Sequence, residues 1–159
     1  MIAIGSDHAA ADLRHIVKAY LEGKGLTCNV YTFTDTNDFR TVAESAANAV
    51  DVIYVPTDNT VANNADTLGV ICNEKNVPVV AGEEGICKKC GIVSLSISYY
   101  NLGVKTGKMA AEILLGKADV KNMAIAYDES PVKKYNEALC TKYGITVPSG
   151  YVKLEVPEN

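Results

Sequence analysis

Short apolar runs rich in β-branched residues alternate with amphipathic stretches of helical periodicity from the first residue to about residue 130. This alternation is typical of a parallel sheet covered by helices on both faces, because parallel strands need long crossover connections. The five expected strands cover residues 2–5, 29–33, 51–55, 77–81 and 92–97. The sequence therefore predicts an α/β domain built from five βα units.

Apolar residues spaced three and four apart mark the helices between these strands. A second helix is expected around residues 42–47 and a third after the turn at 56–60, while residues 82–85 are expected to form a loop. The longest helix should run from about Tyr100 to Gly116, since glycine is typical of a helix C-terminus. The first helix carries its apolar face on Leu13, Ile16, Val17, Tyr20 and Leu21.

Short right-handed crossovers favour the strand order 2-1-3-4-5, which is the flavodoxin-like form of the doubly wound sheet. The pattern changes beyond residue 120. There we expect a short strand at 123–127, a helix at 131–143 and an extended segment at 151–156. All 159 residues fit one domain, so the prediction is a single α/β domain with an extra C-terminal helix and an extended tail.

Charge and hydropathy exclude several classes of partner. The net charge is −4 and no basic stripe is present, so neither nucleic acid nor an anionic membrane surface is expected as a partner. No apolar run reaches the length of a membrane span, and the N-terminus lacks the pattern of a signal peptide. The expectation from these residues alone is a chain that stays in the cytoplasm as expressed and does not insert into a membrane.

In a doubly wound sheet, ligands bind beyond the carboxyl ends of the strands, at the switch point between strands one and three. This rule places the loop at 5–9 beside the loop at 56–60. Glu83, Glu84, Ser98 and Tyr99 should lie along the same edge. The sheet edge is therefore the expected ligand site.

Four segments in matching order and spacing carry a family resemblance: TFTDTND, VDVIYVPTDNTVANN, PVVAGEEGICKKCG and SISYYNLGVKTGKMAAEILLGKA. Over residues 29–155 the sequence resembles the C-terminal lobe of a type-I periplasmic substrate-binding protein of bacterial ABC importers. The matching branch is the aromatic-amino-acid-type or uncharacterised one. The resemblance implies a non-enzymatic lobe whose carboxylates meet the ammonium of an amino-acid-type ligand and whose tyrosine stacks on it or hydrogen-bonds to it. The implied ligand-binding residues are Thr57, Asp58, Asn59, Thr60, Glu83, Glu84 and Tyr99.

The same resemblance implies a parent protein outside the cytoplasm, with an N-terminal lobe that closes over this edge. These 159 residues show no such lobe, so we expect small-molecule binding in the millimolar range at most. A second copy of the chain is a further candidate partner, through the exposed lobe surface or an exchanged C-terminal tail.

The first βα unit resembles a different family. The stretch IAIGSDHAAADLRHIVKAYLEGKGL is similar to the start of type B ribose-5-phosphate isomerases, which implies sugar-phosphate contacts from Ser6, Asp7 and His8. Because the two resemblances meet near residue 26, an engineered chimera is our hypothesis for the chain. An isomerase relative is the alternative, but the loop after strand three holds no cysteine base, and Asp58 would be a poor one. No catalytic residues are therefore expected.

Five cysteines, an odd number in a domain of this size, argue against a disulfide scaffold. Cys87 and Cys90 form a C-x-x-C motif, and the two lysines between them should lower the pKa values of the thiols. A thiol-redox module is thus a third hypothesis, and the importer-family resemblance implies a local Cys87–Cys90 disulfide as another option. For a chain that stays in the cytoplasm, the expectation is reduced, inert thiols. No second cysteine or histidine pair completes a zinc site, so neither a metal nor a cofactor is expected.

Overall fold

The computed structural model describes residues 1–5 and 11–155. In these residues one sheet has the order β2-β1-β3-β4-β5-β6-β7, and its neighbours are parallel except for the antiparallel β5–β6 pair. The strands are β1 (Ile2–Ile4), β2 (Cys28–Val30), β3 (Val52–Val55), β4 (Val79–Ala81), β5 (Gly91–Ser96), β6 (Val132–Tyr135) and β7 (Val152–Lys153). The predicted order 2-1-3-4-5 is confirmed, and two further strands extend the sheet beyond β5.

Helices connect these strands. Those of the described residues are α1 (Ala11–Glu22), α2 (Thr36–Ala47), α3 (Asn59–Asn63), α4 (Ala65–Lys75), α5 (Glu84–Lys89), α6 (Tyr99–Leu114) and α7 (Glu137–Lys142), with a short 3₁₀ turn at Val120–Asn122. No helix in this part of the chain combines the length and hydropathy that crossing a bilayer requires.

Local chemistry fixes several of the helix ends. A capping box starts α2: the Asp35 side chain accepts from the Asn37 amide at 2.7 Å, and Asp38 accepts from the Asp35 amide at 3.2 Å. Asn76 ends α4 with a left-handed φ of 58°, a conformation that asparagine tolerates better than most residues. The chain can then turn directly into β4.

The hydrophobic core lies on one face of the sheet, under α2, α4 and α5. Buried side chains from these helices pack on the strands, which supplies the main apolar burial of the domain. The set includes Phe39, Ala43, Leu68, Ile71 and Ile86 from the helices and Ile53, Val55, Val79 and Ala81 from the strands. By contrast, α1 and α6 contain no buried residue.

The helix expected at 131–143 is wrong in its first half. Residues 132–135 pair with β5 as a strand, and the buried Asn136 then caps α7 by accepting from the Leu139 amide at 3.2 Å. The Asn136 side chain also donates to the Lys88 carbonyl at 3.2 Å, which ties the start of α7 to α5. Because β6 ends at Tyr135 and Asn136 is the N-cap, α7 begins at Glu137 and is only six residues long.

Three other expectations need correction. Residues 123–127 lie outside the helices and strands, so no strand forms there. The expected third helix is two helices, α3 and α4, which meet at Asn64. The expected loop at 82–85 runs into α5, because the Glu83 side chain caps the first turn by accepting from the amides of Gly85 and Ile86.

Candidate functional site

The loops after β3 and β4 touch at the carboxyl edge of the sheet. The Gly82 amide donates to the Val55 carbonyl at 2.6 Å. A Cβ atom at Gly82 would lie 2.8 Å from the Pro56 Cα, closer than real Cβ contacts come, so only glycine fits here. The structure therefore brings the loop at 56–60 next to the loop that carries Glu83, as the topology predicted.

Within the loop at 56–60, Asp58 and Thr60 are at least half-buried, and Thr57 and Asn59 are exposed to water. Asp58 is only 3% exposed, and its Oδ1 accepts from the Val61 amide at 2.9 Å to cap α3. Its Oδ2 is buried and has no hydrogen-bond partner within the described residues. Thr60 is half-buried, whereas Thr57 and Asn59 are exposed. A ligand at this edge would meet Thr57 and Asn59 first.

Glu84 is the centre of a small charged cluster. Its carboxylate accepts from the Lys134 ammonium at 2.5 Å and pairs with the Lys88 ammonium at 2.8 Å. The hydrogen bond from Lys134, followed by the one from Lys88, holds the pKa of Glu84 below its ordinary value of 4.5. Two positive charges share the Glu84 carboxylate, and with the neighbouring Glu83 carboxylate the four charges sum to zero.

Glu83 differs from Glu84, because its two oxygens are occupied by the backbone. Oε2 accepts from the Gly85 amide at 2.8 Å, and Oε1 accepts from the Ile86 amide. The family resemblance implies that Glu83 or Glu84 meets a ligand's ammonium. In the structure, Glu83 instead acts as the N-cap of α5.

A cleft of about 390 Å³ opens beside this cluster. Ser98 lies at its wall and caps α6, accepting from the Asn101 amide at 3.2 Å, while the Ser98 amide donates to Asp128 at 2.7 Å. Tyr99 and Tyr100 follow and are 61% and 79% exposed. The polar and aromatic side chains that line the cleft are Glu83, Glu84, Lys88, Ser96, Ser98, Tyr99, Tyr100 and Lys134.

The structure thus brings together Glu83, Glu84 and Tyr99 from the expected site. The loop at 57–60 does not line this cleft, although it lies on the same edge. Ser6, Asp7 and His8, the other expected contacts, lie outside the described residues.

Sequence reasoning missed Lys88 and Lys134 as site residues. The spacing of four between Glu84 and Lys88 is the usual sign of an ion pair on a helix, but this stretch was expected to be a loop. Lys134 was assigned to a helix, and its pairing with Glu84 depends on β6 joining β5.

The geometry of Asp58 does not suit the isomerase alternative. A general base must reach the proton of a bound substrate, but this carboxylate is buried and caps α3 through Val61.

The C-x-x-C motif does not have the surroundings of a redox pair. Cys87 and Cys90 are free thiols, and both are buried. Burial raises the pKa of Cys87 to about 12 and raises the pKa of Cys90 further, opposite to the lowering that the lysines suggested. Lys88 and Lys89 pair with carboxylates instead, each at 2.8 Å. Residues 1–5 and 11–155 contain no cluster of side chains that could hold a metal ion.

Comparison with known proteins identifies related sequences. A family model described as ABC transporter substrate binding protein matches residues 1–154. The tyrosine-binding protein of Clostridioides difficile (strain R20291) is 36% identical over 74 residues, which is 46% of this chain and 21% of that protein. The family match starts at residue 1 and includes the first βα unit, so it lends no support to a chain spliced near residue 26.

Solved structures show the same architecture. The ABC domain from Streptococcus pneumonia, solved in complex with L-Trp, superposes with a TM-score of 0.83 at 26% identity, covering 93% of this chain and 51% of that one. A ligand-free, open substrate-binding protein with adhesive properties from Clostridium difficile superposes with a TM-score of 0.70 at 30% identity. The match covers 97% of this chain and 54% of that one. A conserved domain protein from Vibrio cholerae gives 0.84 at 24% identity, covering 96% and 53%, which supports the fold alone. The chain spans about half the length of these solved chains.

Proposed function

Because the chain belongs to the ABC transporter substrate-binding protein family, we propose that it is a non-enzymatic lobe that binds an amino-acid-type molecule at the carboxyl edge of its sheet. The cleft beside Glu84 carries the proposal. It offers two carboxylates, two ammonium groups, two serine hydroxyls and two tyrosine rings around about 390 Å³. A free amino acid presents the matching groups, since it has one carboxylate, one ammonium and a side chain that often is apolar.

The charges of the cleft suggest how such a ligand lies. The two ammonium groups favour the ligand's carboxylate near Lys134 and Lys88. We assign the ligand's ammonium to Glu84, because its oxygens pair with flexible lysine side chains that a ligand's carboxylate can draw away. The oxygens of Glu83 are held by the backbone amides of Gly85 and Ile86 instead. Tyr99 and Tyr100 are exposed at the mouth, where they can stack on an aromatic side chain.

The relatives support this choice of ligand class. One solved relative carries L-Trp, and one relative is named a tyrosine-binding protein. We propose an aromatic amino acid as the first ligand to test here.

Affinity should be low for this chain alone. Small-molecule sites usually enclose about 70% or more of their ligand, whereas this cleft is open on one side. We propose that a second lobe closes over the edge in the intact importer protein, as the length of the relatives suggests. One wall alone should give a Kd of roughly millimolar size.

The first test is a calorimetric titration of the chain with L-Trp. Tyr99→Ala removes an aromatic wall of the cleft, so we expect a Kd about fivefold weaker. Tyr127→Ala is the matched control, because Tyr127 is 69% exposed and does not line the cleft. Equal affinities for the wild type and both variants would count against the cleft as the site.

A further inference from the structure

A second and larger cavity lies between α1 and the face of the sheet opposite the core. Its volume is about 830 Å³, within the range of small-molecule sites. Its apolar lining includes Ile2, Val52, Val80 and Leu95 from the strands and Leu13 and Val17 from α1. We call this cavity the α1 groove. It shares no lining residue with the cleft beside Glu84.

The α1 groove leaves large apolar side chains in contact with water. Leu13 and Ile16 of α1 are 66% and 65% exposed, and Leu95 of β5 is 56% exposed. Contiguous apolar surface of this kind on a folded domain usually marks a binding site. Covering it with an apolar molecule would remove this surface from water, which is the dominant favourable term in association.

Arg14 is the one charged residue among those that line the groove. Its Nε atom is buried and has no hydrogen-bond partner in residues 1–5 and 11–155. A buried donor without a partner is costly, and for a charged group the cost is greater. No acidic side chain of the described residues lines the groove, so within that part of the chain the charge of Arg14 has no counterpart there.

Three hydroxyl groups add polar contacts to the same surface. Tyr20, Tyr54 and Thr57 all line the groove. Burial raises the pKa of Tyr54, so its hydroxyl keeps its proton and can donate a hydrogen bond to an acceptor.

We propose that the α1 groove is a binding site for a small apolar molecule that carries one negative charge, with Arg14 as the partner of that charge. An aromatic or aliphatic monocarboxylate or monosulfonate has the required chemistry. This ligand class differs from the zwitterion proposed for the cleft, and the proposal does not depend on that function.

The test uses two fluorescent probes with nearly the same rings. Anilinonaphthalene sulfonate carries one negative charge, and the neutral phenylnaphthylamine lacks it. In the full chain, Arg14→Gln should lower the affinity for the anionic probe about tenfold, because the charge-assisted contact is lost. The affinity for the neutral probe should stay within about twofold of the wild-type value. Arg14→Lys should give an intermediate loss, since it keeps the charge but not the planar fork of donors.

Arg40→Gln is the matched control. Arg40 lies on α2, on the core side of the sheet, and pairs with Glu44 at 2.8 Å on the surface. This variant should bind both probes as the wild type does. Unchanged binding of the neutral probe to Arg14→Gln also shows that the groove is still folded.

Several results would overturn the proposal. If Arg14→Gln lowered the affinity for both probes equally, or for neither, Arg14 would not recognise the negative charge. Absence of probe binding would mean that another element, such as α6 or a second copy of the chain, covers the groove, and a mass measurement in solution would identify the latter. Displacement of the anionic probe by L-Trp would mean that the groove and the cleft are not separate sites.

Discussion

Glu84 makes two ion pairs in the proposed site. This carboxylate accepts from two lysines that come from different elements, Lys88 on α5 and Lys134 on β6. The pair with Lys134 joins residues 50 positions apart, so it links the ligand edge to the C-terminal part of the sheet. One carboxylate thus contributes both to the charge of the cleft and to the packing of β6 at its side.

Glu84→Gln should make stability less sensitive to acid. The folded state lowers the pKa of Glu84 below 4.5, so its contribution is present above that pH and is lost as the pH falls through the folded value. Because the Glu84 side chain is 29% exposed, we expect Glu84→Gln to lower the free energy of unfolding by about 0.5–1 kcal/mol at neutral pH.

The measurement is urea unfolding of the wild type and Glu84→Gln at neutral pH and at about pH 3. The two proteins should differ at neutral pH and converge in acid. A difference that stays constant across this range would show that the pKa of Glu84 is not shifted by folding.

At the scale of elements, the alternating pattern was enough to predict the five parallel strands and their order, because periodicity is local and crossover handedness leaves few topologies. The errors fall where an element depends on distant partners. The strand at 132–135 has two lysines in place of an apolar run and is defined by its pairing with β5. The helix α5 is six residues long, and its start depends on the Glu83 cap.

Gly82→Ala tests the packing of the loop after β4 against the loop after β3. The added Cβ would lie 2.8 Å from the Pro56 Cα and 3.0 Å from the Thr57 amide nitrogen, and backbone atoms cannot move aside cheaply. We expect a loss of about 1–3 kcal/mol in the free energy of unfolding, together with weaker L-Trp binding.

Gly103→Ala is the control for that substitution. Gly103 lies inside α6, and a Cβ there would meet no atom of the described residues within 4 Å. Alanine should therefore stabilise the helix by about 0.5–1 kcal/mol. If chemical unfolding gave the same result for both variants, the close approach of the two loops would not exist.

At the scale of the whole molecule, the two faces of the sheet differ. The face under α2, α4 and α5 forms the core, and the face under α1 leaves the groove open. The sequence predicted helices on both faces but could not show this difference, since the apolar stripe of α1 looks like that of a buried helix.

The candidate site also depends on the whole molecule. The rule for doubly wound sheets predicted that Glu84, Ser98 and Tyr99 would share an edge, and these three residues do line one cleft. Lys134 completes that cleft from a strand that the local pattern did not reveal. Prediction from sequence therefore reached cleft residues that follow strands four and five. It missed Lys88, which lies in a helix where a loop was expected, and Lys134, which the added strand supplies.

The most direct test of the proposed site is an NMR titration of the isotope-labelled chain with L-Trp up to about ten millimolar, because it locates the contact as well as its strength. We expect saturable shifts of the backbone amides of Glu84, Ser98, Tyr99 and Lys134, with amides near Arg14 unchanged. Shifts that fail to saturate, or that map to the α1 groove rather than to the carboxyl edge, would contradict the assignment of this cleft as the amino-acid site.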